Sequence, residues 1–135
     1  MKTVGLFFGS FNPIHIGHLA IANYFAEFTD LEEVWFVPSP KNPLKSSSEL
    51  ASTDARVQML KIAVENKHPK IKICLEELHL PTPSYTLQTI IHLKRMYPNT
   101  SFTLIIGDDS LQTFHLWRNF KDIVQEAKLM VYPRI

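Results

Sequence analysis

The chain has 135 residues, with 14 Lys plus Arg against 13 Asp plus Glu and a net charge of +1. That length holds one domain with its own core, and the near balance excludes a protein working by a dense positive field on nucleic acid or anionic lipid. A 45% hydrophobic and 20% charged composition argues against disorder, and the single cysteine, Cys74, excludes a disulfide framework or multi-cysteine metal site and fits a reducing compartment.

Met1-Lys2 followed by Val4-Gly5-Leu6-Phe7-Phe8 imitates the start of an export signal, but Ser10, Asn12, Pro13, His15 and His18 interrupt what would be its apolar stretch. No run reaches the roughly 18 apolar residues of a membrane helix. The expectation is a cytoplasmic protein without membrane or nucleic-acid partners.

In chain order, the apolar run Thr3 to Phe8 predicts a strand buried on both faces, ended by Gly9-Ser10. After Asn12-Pro13, Ile16, Leu19, Ala20, Tyr24 and Phe28 recur at helical spacing. Val34 to Val37 predicts a second strand stopped by Pro38, and Ser39 to Ser48, rich in Pro, Lys and Ser, reads as a loop. Ser52 or Thr53 can cap a helix whose stripe is Val57, Leu60, Ala63 and Val64. Lys70 to Leu75 predicts a third strand, Leu78 to Ser84 a loop, and Thr86 to Met96 a helix. Phe102 to Ile106 predicts a strand, Ser110 to His115 and Phe120 to Glu126 two short helices, and Lys128 to Tyr132 a last strand.

Strands alternating with helices imply right-handed crossovers and a mostly parallel sheet. The expected architecture is a single Rossmann-like three-layer α/β/α domain over residues 1–135. Ligands of such sheets bind beyond the carboxyl ends of the strands, where three clusters fall: Gly9 to His18, Pro38 to Lys45 and Gly107 to Trp117.

In the first cluster, Gly9 permits a sharp turn and close backbone approach to a ligand. The following helix presents N–H groups and a positive dipole end to an anion. His15 and His18, three apart, would share a helix face and donate hydrogen bonds to phosphate, with Gly17 leaving space for the ligand. A metal pair and two ordinary surface histidines are the alternatives. No carboxylate or cysteine lies nearby in sequence to complete a metal set, and neither a P-loop nor a G-x-G-x-x-G run occurs.

Gly9-Ser10-Phe11-Asn12-Pro13-Ile14-His15-Ile16-Gly17-His18 resembles the signature of the nucleotidyltransferase superfamily, whose members carry His-x-Gly-His just after the first strand. The resemblance implies that His15 and His18 hold ATP phosphates while a phosphate oxygen of the acceptor attacks the α-phosphorus. It further implies ATP contacts from Gly9, Ser10, Phe11 and Gly17, an acceptor contact from Asn12, Mg²⁺ accompanying ATP, and no dedicated protein metal site.

Ser84-Tyr85-Thr86 resembles the Ser-Tyr-Thr element of bacterial nicotinate-nucleotide adenylyltransferases, which contacts the pyridine mononucleotide; Ser84 and Thr86 can equally cap the helix, and Tyr85 can be core. Gln88 stands where that family commonly has an acidic residue. Gly107-Asp108-Asp109 followed by Trp117-Arg118 resembles the family's Gly-x-Asp…Trp element. It implies that Gly107 and Asp109 approach the nucleotide and that Trp117 stacks on the pyridine. Pro38 to Lys45 resembles the Pro-x-x-x-Pro-x-Lys region, with Leu44 in place of the frequent histidine and Lys45 reaching phosphate. Arg56 resembles a family arginine whose role is structural. His68, His79, His92 and His115 join no constellation, and Cys74 reads as a buried small hydrophobe.

These resemblances imply adenylylation of nicotinate mononucleotide by ATP in NAD biosynthesis. The alternatives are a pantetheine-phosphate adenylyltransferase, a glycerol-phosphate cytidylyltransferase, or a non-catalytic nucleotide-binding domain. The family's later Ile-Ser-Ser-Thr-x-x-Arg element, which binds ATP phosphates, has no counterpart run here. The resemblance therefore implies a chain lacking its C-terminal segment, with weak ATP affinity and low or no turnover at this length.

Overall fold

In a computed structural model, which describes residues 1–40, 52–65, 67–81 and 85–133, the first apolar run becomes the central strand β1, Lys2–Gly9. β2 (Glu33–Pro38), β3 (Ile71–Ile73), β4 (Thr100–Gly107) and β5 (Lys128–Tyr132) complete a five-stranded sheet of order β3-β2-β1-β4-β5. Every pairing is parallel, where the sequence predicted a mostly parallel sheet.

The helices are α1 (Ile16–Phe28), α2 (Thr53–Val64), α3 (Thr86–Met96), α4 (Asp108–Gln112) and α5 (Phe120–Glu126). Alternation along the strands divides the core between the two faces. Phe7, Val34, Phe36, Ile105 and Tyr132 pack with Ala22, Phe25 and Ala26 of α1 and Leu60 of α2. Val4, Leu6, Trp35, Val37, Phe102, Leu104 and Ile106 pack with Leu87, Ile90 and Leu93 of α3 and Ile123 of α5. Leu6, Phe36, Ile90, Leu93 and Leu104 are at most 1% exposed. Burial of each contributes about 1.5–3 kcal/mol relative to exposure.

Boundaries moved where a partner strand or a local bond decided them. β3 is shorter than the predicted Lys70 to Leu75, because its ladder to β2 runs only from Val34↔Ile71 to Phe36↔Ile73, and Cys74 then donates its N–H to the Phe36 carbonyl at 2.8 Å. A 3₁₀ turn, Glu76–His79, forms at the start of the predicted loop. The helix expected over Ser110 to His115 starts earlier, directly on Gly107, and Phe114–Leu116 is a separate 3₁₀ turn. Ser52, not Thr53, caps α2, its Oγ accepting from the Ala55 N–H at 3.1 Å.

After β1 the chain departs to one face of the sheet and after β4 to the other, so the carboxyl ends of these neighbouring strands flank a switch point. Among the described residues, no helix is long and apolar enough to cross a membrane.

Candidate active site

A cleft of about 430 Å³ opens at that switch point. Its lining includes Gly9, Ser10, Phe11, Asn12, His15 and His18 from the β1–α1 connection, Gly107 and Ser110 from β4–α4, and Trp117. Two of the three predicted clusters therefore meet in one place.

His15 is not inside the helix, as its spacing from His18 suggested, but is the N-cap of α1, with an extended backbone at φ −138°, ψ 176°. Its Nδ1 accepts the Gly17 N–H at 3.0 Å, and the Nδ1 of His18 accepts the His15 backbone N–H at 3.1 Å. This reciprocal arrangement is a capping box built from two imidazoles. It stacks the rings with centroids 3.7 Å apart and planes 27° from parallel. An Nδ1 that accepts carries no proton, so in each neutral ring the N–H lies on Nε2. Two Nε2–H donors thus stand at the start of a helix whose first turn holds no acidic residue.

The glycines serve this ring packing. No described glycine has positive φ. A Cβ on Gly17 would lie 2.9 Å from Cε1 and 3.0 Å from Nδ1 of His15, so what occupies the space is the histidine ring itself. A Cβ on Gly9 would lie 2.9 Å from Cε1 of Phe11. Phe11, only 2% exposed, is the residue in the left-handed region, at φ 47°. Its edge meets His18 at 5.1 Å and Phe36 at 5.2 Å, burial that offsets a backbone cost of about 1–2 kcal/mol.

Beneath the loop, Arg56 of α2 is 1% exposed. Its Nη1 donates to the carbonyl of Ser10 at 2.6 Å and of Ser39 at 2.9 Å, and Nη2 to Thr53 Oγ1 at 3.2 Å. The Ser39 N–H donates to the Gly9 carbonyl at 2.9 Å, so the segments leaving β1 and β2 are tied twice. Burial lowers the Arg56 pKa, yet a guanidinium keeps its charge at neutral pH. Glu77 extends the network, its Oε1 accepting from Thr89 of α3 at 2.7 Å and its side chain also bonding Ser39. Burial raises the Glu77 pKa, outweighing those two bonds.

Tyr85 and Thr86, at the start of α3, line a neighbouring cavity of about 210 Å³ with Trp117, Arg118 and Ile123. Trp117 is a wall common to both spaces. Gln88 has a local task, its Oε1 accepting the Tyr85 N–H at 3.4 Å.

Asp109 sits exposed in the first turn of α4, outside the cleft lining, where Gly107 and Ser110 contribute. Gly17 is likewise behind the lining, acting through His15. Lys45 and Ser84 lie outside the described residues. Sequence reading missed Phe7, Ser110 and Tyr132 as cleft residues and Arg118 beside the second cavity. Position beyond a strand end was a usable signal for Ser110, whereas the others read as core or surface. Among the described residues, no group of three or more His, Cys, Asp or Glu could hold a metal ion.

The chain matches the cytidylyltransferase-like family model over residues 6–135. A protein of Flavobacterium johnsoniae named probable nicotinate-nucleotide adenylyltransferase is 51% identical over 132 residues, covering 98% of this chain and 68% of that protein. One of the same name from Bacteroides fragilis is 48% identical over 130 residues, covering 96% of this chain and 64% of that protein. The chain thus spans about two thirds of the length of these curated relatives. The structure of Plasmodium falciparum nicotinic acid mononucleotide adenylyltransferase complexed with NaAD superposes with a TM-score of 0.83 at 25% identity, covering 99% of this chain and 65% of that one.

Proposed function

The chain belongs to the cytidylyltransferase-like family and, within it, groups with the nicotinate-nucleotide adenylyltransferases, and from that premise we propose that it transfers the AMP part of ATP to nicotinate mononucleotide. The products are deamido-NAD and pyrophosphate. The observation that carries this reading is the stacked His15–His18 pair, two Nε2–H donors at a helix start on the cleft between β1 and β4.

A phosphate oxygen of the acceptor attacks the α-phosphorus of ATP, a new P–O bond forms, and the bond from that phosphorus to the bridging oxygen breaks as pyrophosphate leaves. The acceptor phosphate is largely ionised at neutral pH, with a second pKa of about 6, so the attack requires no general base. Catalysis then rests on alignment and on neutralising charge on the triphosphate. His15 and His18 donate to its oxygens, and the α1 dipole adds to them. Gly9, Ser10, Phe11 and Gly107 form the nucleotide wall, Gly17 seats His15, Asp109 reaches ATP from the rim, and Lys45, outside the described residues, is assigned to ATP on the motif it resembles alone. Asn12, Tyr85, Thr86 and Trp117 form the acceptor side, with Trp117 stacking on the electron-poor pyridinium, and Ser84, outside the described residues, is assigned to the acceptor on the motif it resembles alone.

Mg²⁺ enters as part of the substrate, bound by triphosphate oxygens, a reading supported by a lining whose polar side chains, among the described residues, are imidazole, hydroxyl, amide and indole with no carboxylate. Residues 1–135 act as one nucleotidyltransferase domain in the cytoplasm.

Pyrophosphate release is the test, with ATP and nicotinate mononucleotide, nicotinamide mononucleotide, phosphopantetheine or glycerol phosphate, and with CTP in the last case. The expected outcome is turnover with the pyridine mononucleotides. Fastest turnover with phosphopantetheine or glycerol phosphate overturns the acceptor assignment.

A further inference from the structure

We infer that Glu77 is a positioning residue that sets the span between the two ends of the site, holding the start of α3 at a fixed distance from the loop that follows β1. This rests on the adenylyltransferase reading above, in which the start of α3 faces the acceptor and the β1–α1 connection faces ATP. Among the described residues the buried polar side chains are Arg56, Glu77, Thr89 and Thr103, and the first three belong to one network. Arg56, from α2, donates to the Ser10 and Ser39 carbonyls. The Ser39 side chain bonds Glu77, and Glu77 Oε1 accepts from Thr89 Oγ1 at 2.7 Å. α2 lies on one face of the sheet and α3 on the other, so the network crosses between them at the carboxyl end of β2, just past Pro38.

Thr89 is the residue whose N–H closes the first turn of α3, onto the Tyr85 carbonyl at 3.2 Å. Its hydroxyl has one proton. That proton goes to Glu77 at 2.7 Å rather than to the Tyr85 carbonyl at 3.5 Å. The first turn of α3 is thereby pinned by a directional bond. Leu87, Ile90 and Leu93 hold the same helix by apolar burial, which is non-directional and leaves its height along the sheet less defined.

Stability does not account for a carboxyl at this place. Glu77 is 3% exposed, and its Oε2 and the Nε of Arg56 have no hydrogen-bond partner among the described residues. Unpaired buried polar atoms cost free energy, and proteins keep such costs where function requires a fixed position. Both atoms belong to side chains that bond Ser39, the residue at which the tie to the cleft loop and the tie to α3 meet.

Deamido-NAD joins an AMP half to a nicotinate mononucleotide half, so its affinity depends on the span, whereas each half alone senses its own end. The test is calorimetric titration of deamido-NAD, with AMP and nicotinate mononucleotide as its competitors, and it needs no turnover. The proteins are the wild type, Thr89→Val, Thr89→Ser, Glu77→Met and Ser39→Ala, at a temperature where melts show each folded. Valine has the shape of threonine without the hydroxyl, and serine keeps the hydroxyl. Thr89→Val should weaken deamido-NAD about 10- to 100-fold and each half less than about 3-fold, with Thr89→Ser within about 3-fold of the wild type throughout. Glu77→Met cuts both ties and should lose at least as much. Ser39→Ala removes only a hydroxyl from a half-buried residue, should show the same pattern at about 3- to 10-fold, and decides the matter if the buried variants do not fold.

A dinucleotide loss matched by either half, no loss, or serine failing to restore affinity overturns this inference and leaves the adenylyltransferase reading in place. So does a wild type that binds deamido-NAD no more tightly than nicotinate mononucleotide. A wild type that binds neither overturns the acceptor reading, and this inference with it.

Discussion

The position that a Cβ on Gly17 would occupy is filled by the imidazole of His15, 2.9 Å away at Cε1, and the Gly17 N–H is the donor that holds that ring through Nδ1 at 3.0 Å. One residue thus both makes room for a candidate phosphate ligand and fixes its tautomer. Gly17→Ala should swing the ring off His18 and lower turnover by about 10-fold or more. Alanine's better helix propensity, about 1 kcal/mol, should offset the cost of displacing the ring and leave the melting temperature nearly unchanged. Steady-state rates measured beside thermal melts test the split; unchanged rates would remove the link between ring placement and catalysis.

His15 has two separable tasks, capping α1 and facing the cleft. Asparagine is a good N-cap without an imidazole. His15→Asn should therefore keep stability within about 0.5 kcal/mol and lose about 100-fold in turnover, while His15→Ala should lose a further 1 kcal/mol or so of stability. His18→Ala should reduce turnover by about 100- to 1,000-fold with a much smaller effect on acceptor binding. Denaturation curves with kinetics on all three variants test these assignments.

Arg56 holds the Ser10 and Ser39 carbonyls together from below. Arg56→Met keeps much of the volume but leaves those two acceptors without their donor, which should destabilise the fold by about 2–4 kcal/mol. The Ser10 loop carries the cleft wall, so the KM for ATP should rise as well. A variant with normal ATP KM would show that the loop holds its form without this tie.

Glu77 supplies a pH signature. Its pKa is raised by burial, so the folded chain retains the proton where the unfolded chain, near pH 4.3, has released it. The stability this group contributes is complete below the unfolded value and is lost as pH rises through the folded one. Glu77→Gln cannot ionise, so the variant's stability relative to wild type should climb between about pH 4.3 and neutrality. Urea denaturation across that range reads the slope directly, and parallel wild-type and variant profiles would contradict it.

Much of the fold was legible because its signals are local. The runs at Thr3 to Phe8, Val34 to Val37 and Phe102 to Ile106 are buried on both faces, and the Leu87, Ile90 and Leu93 stripe is the buried side of α3. β3 was overestimated because strand length depends on how far a neighbour pairs, a property of β2 as much as of its own residues. Gln88 looked like a departure from a motif, yet it accepts the N–H of Tyr85, the N-cap of its own helix, a role visible only with the cap in place.

The sequence by itself determined the alternation of strands and helices and the glycine–histidine run between the first strand and first helix, since period, turn residues and spacing act over a few neighbours. Tertiary structure decided that His15 caps rather than joins the helix, that Arg56 and Glu77 are buried, and that Trp117 is shared by two cavities. Each of these depends on surfaces from segments far apart in the chain closing over one another, where burial and ring contact set the free energy and local order along the chain does not.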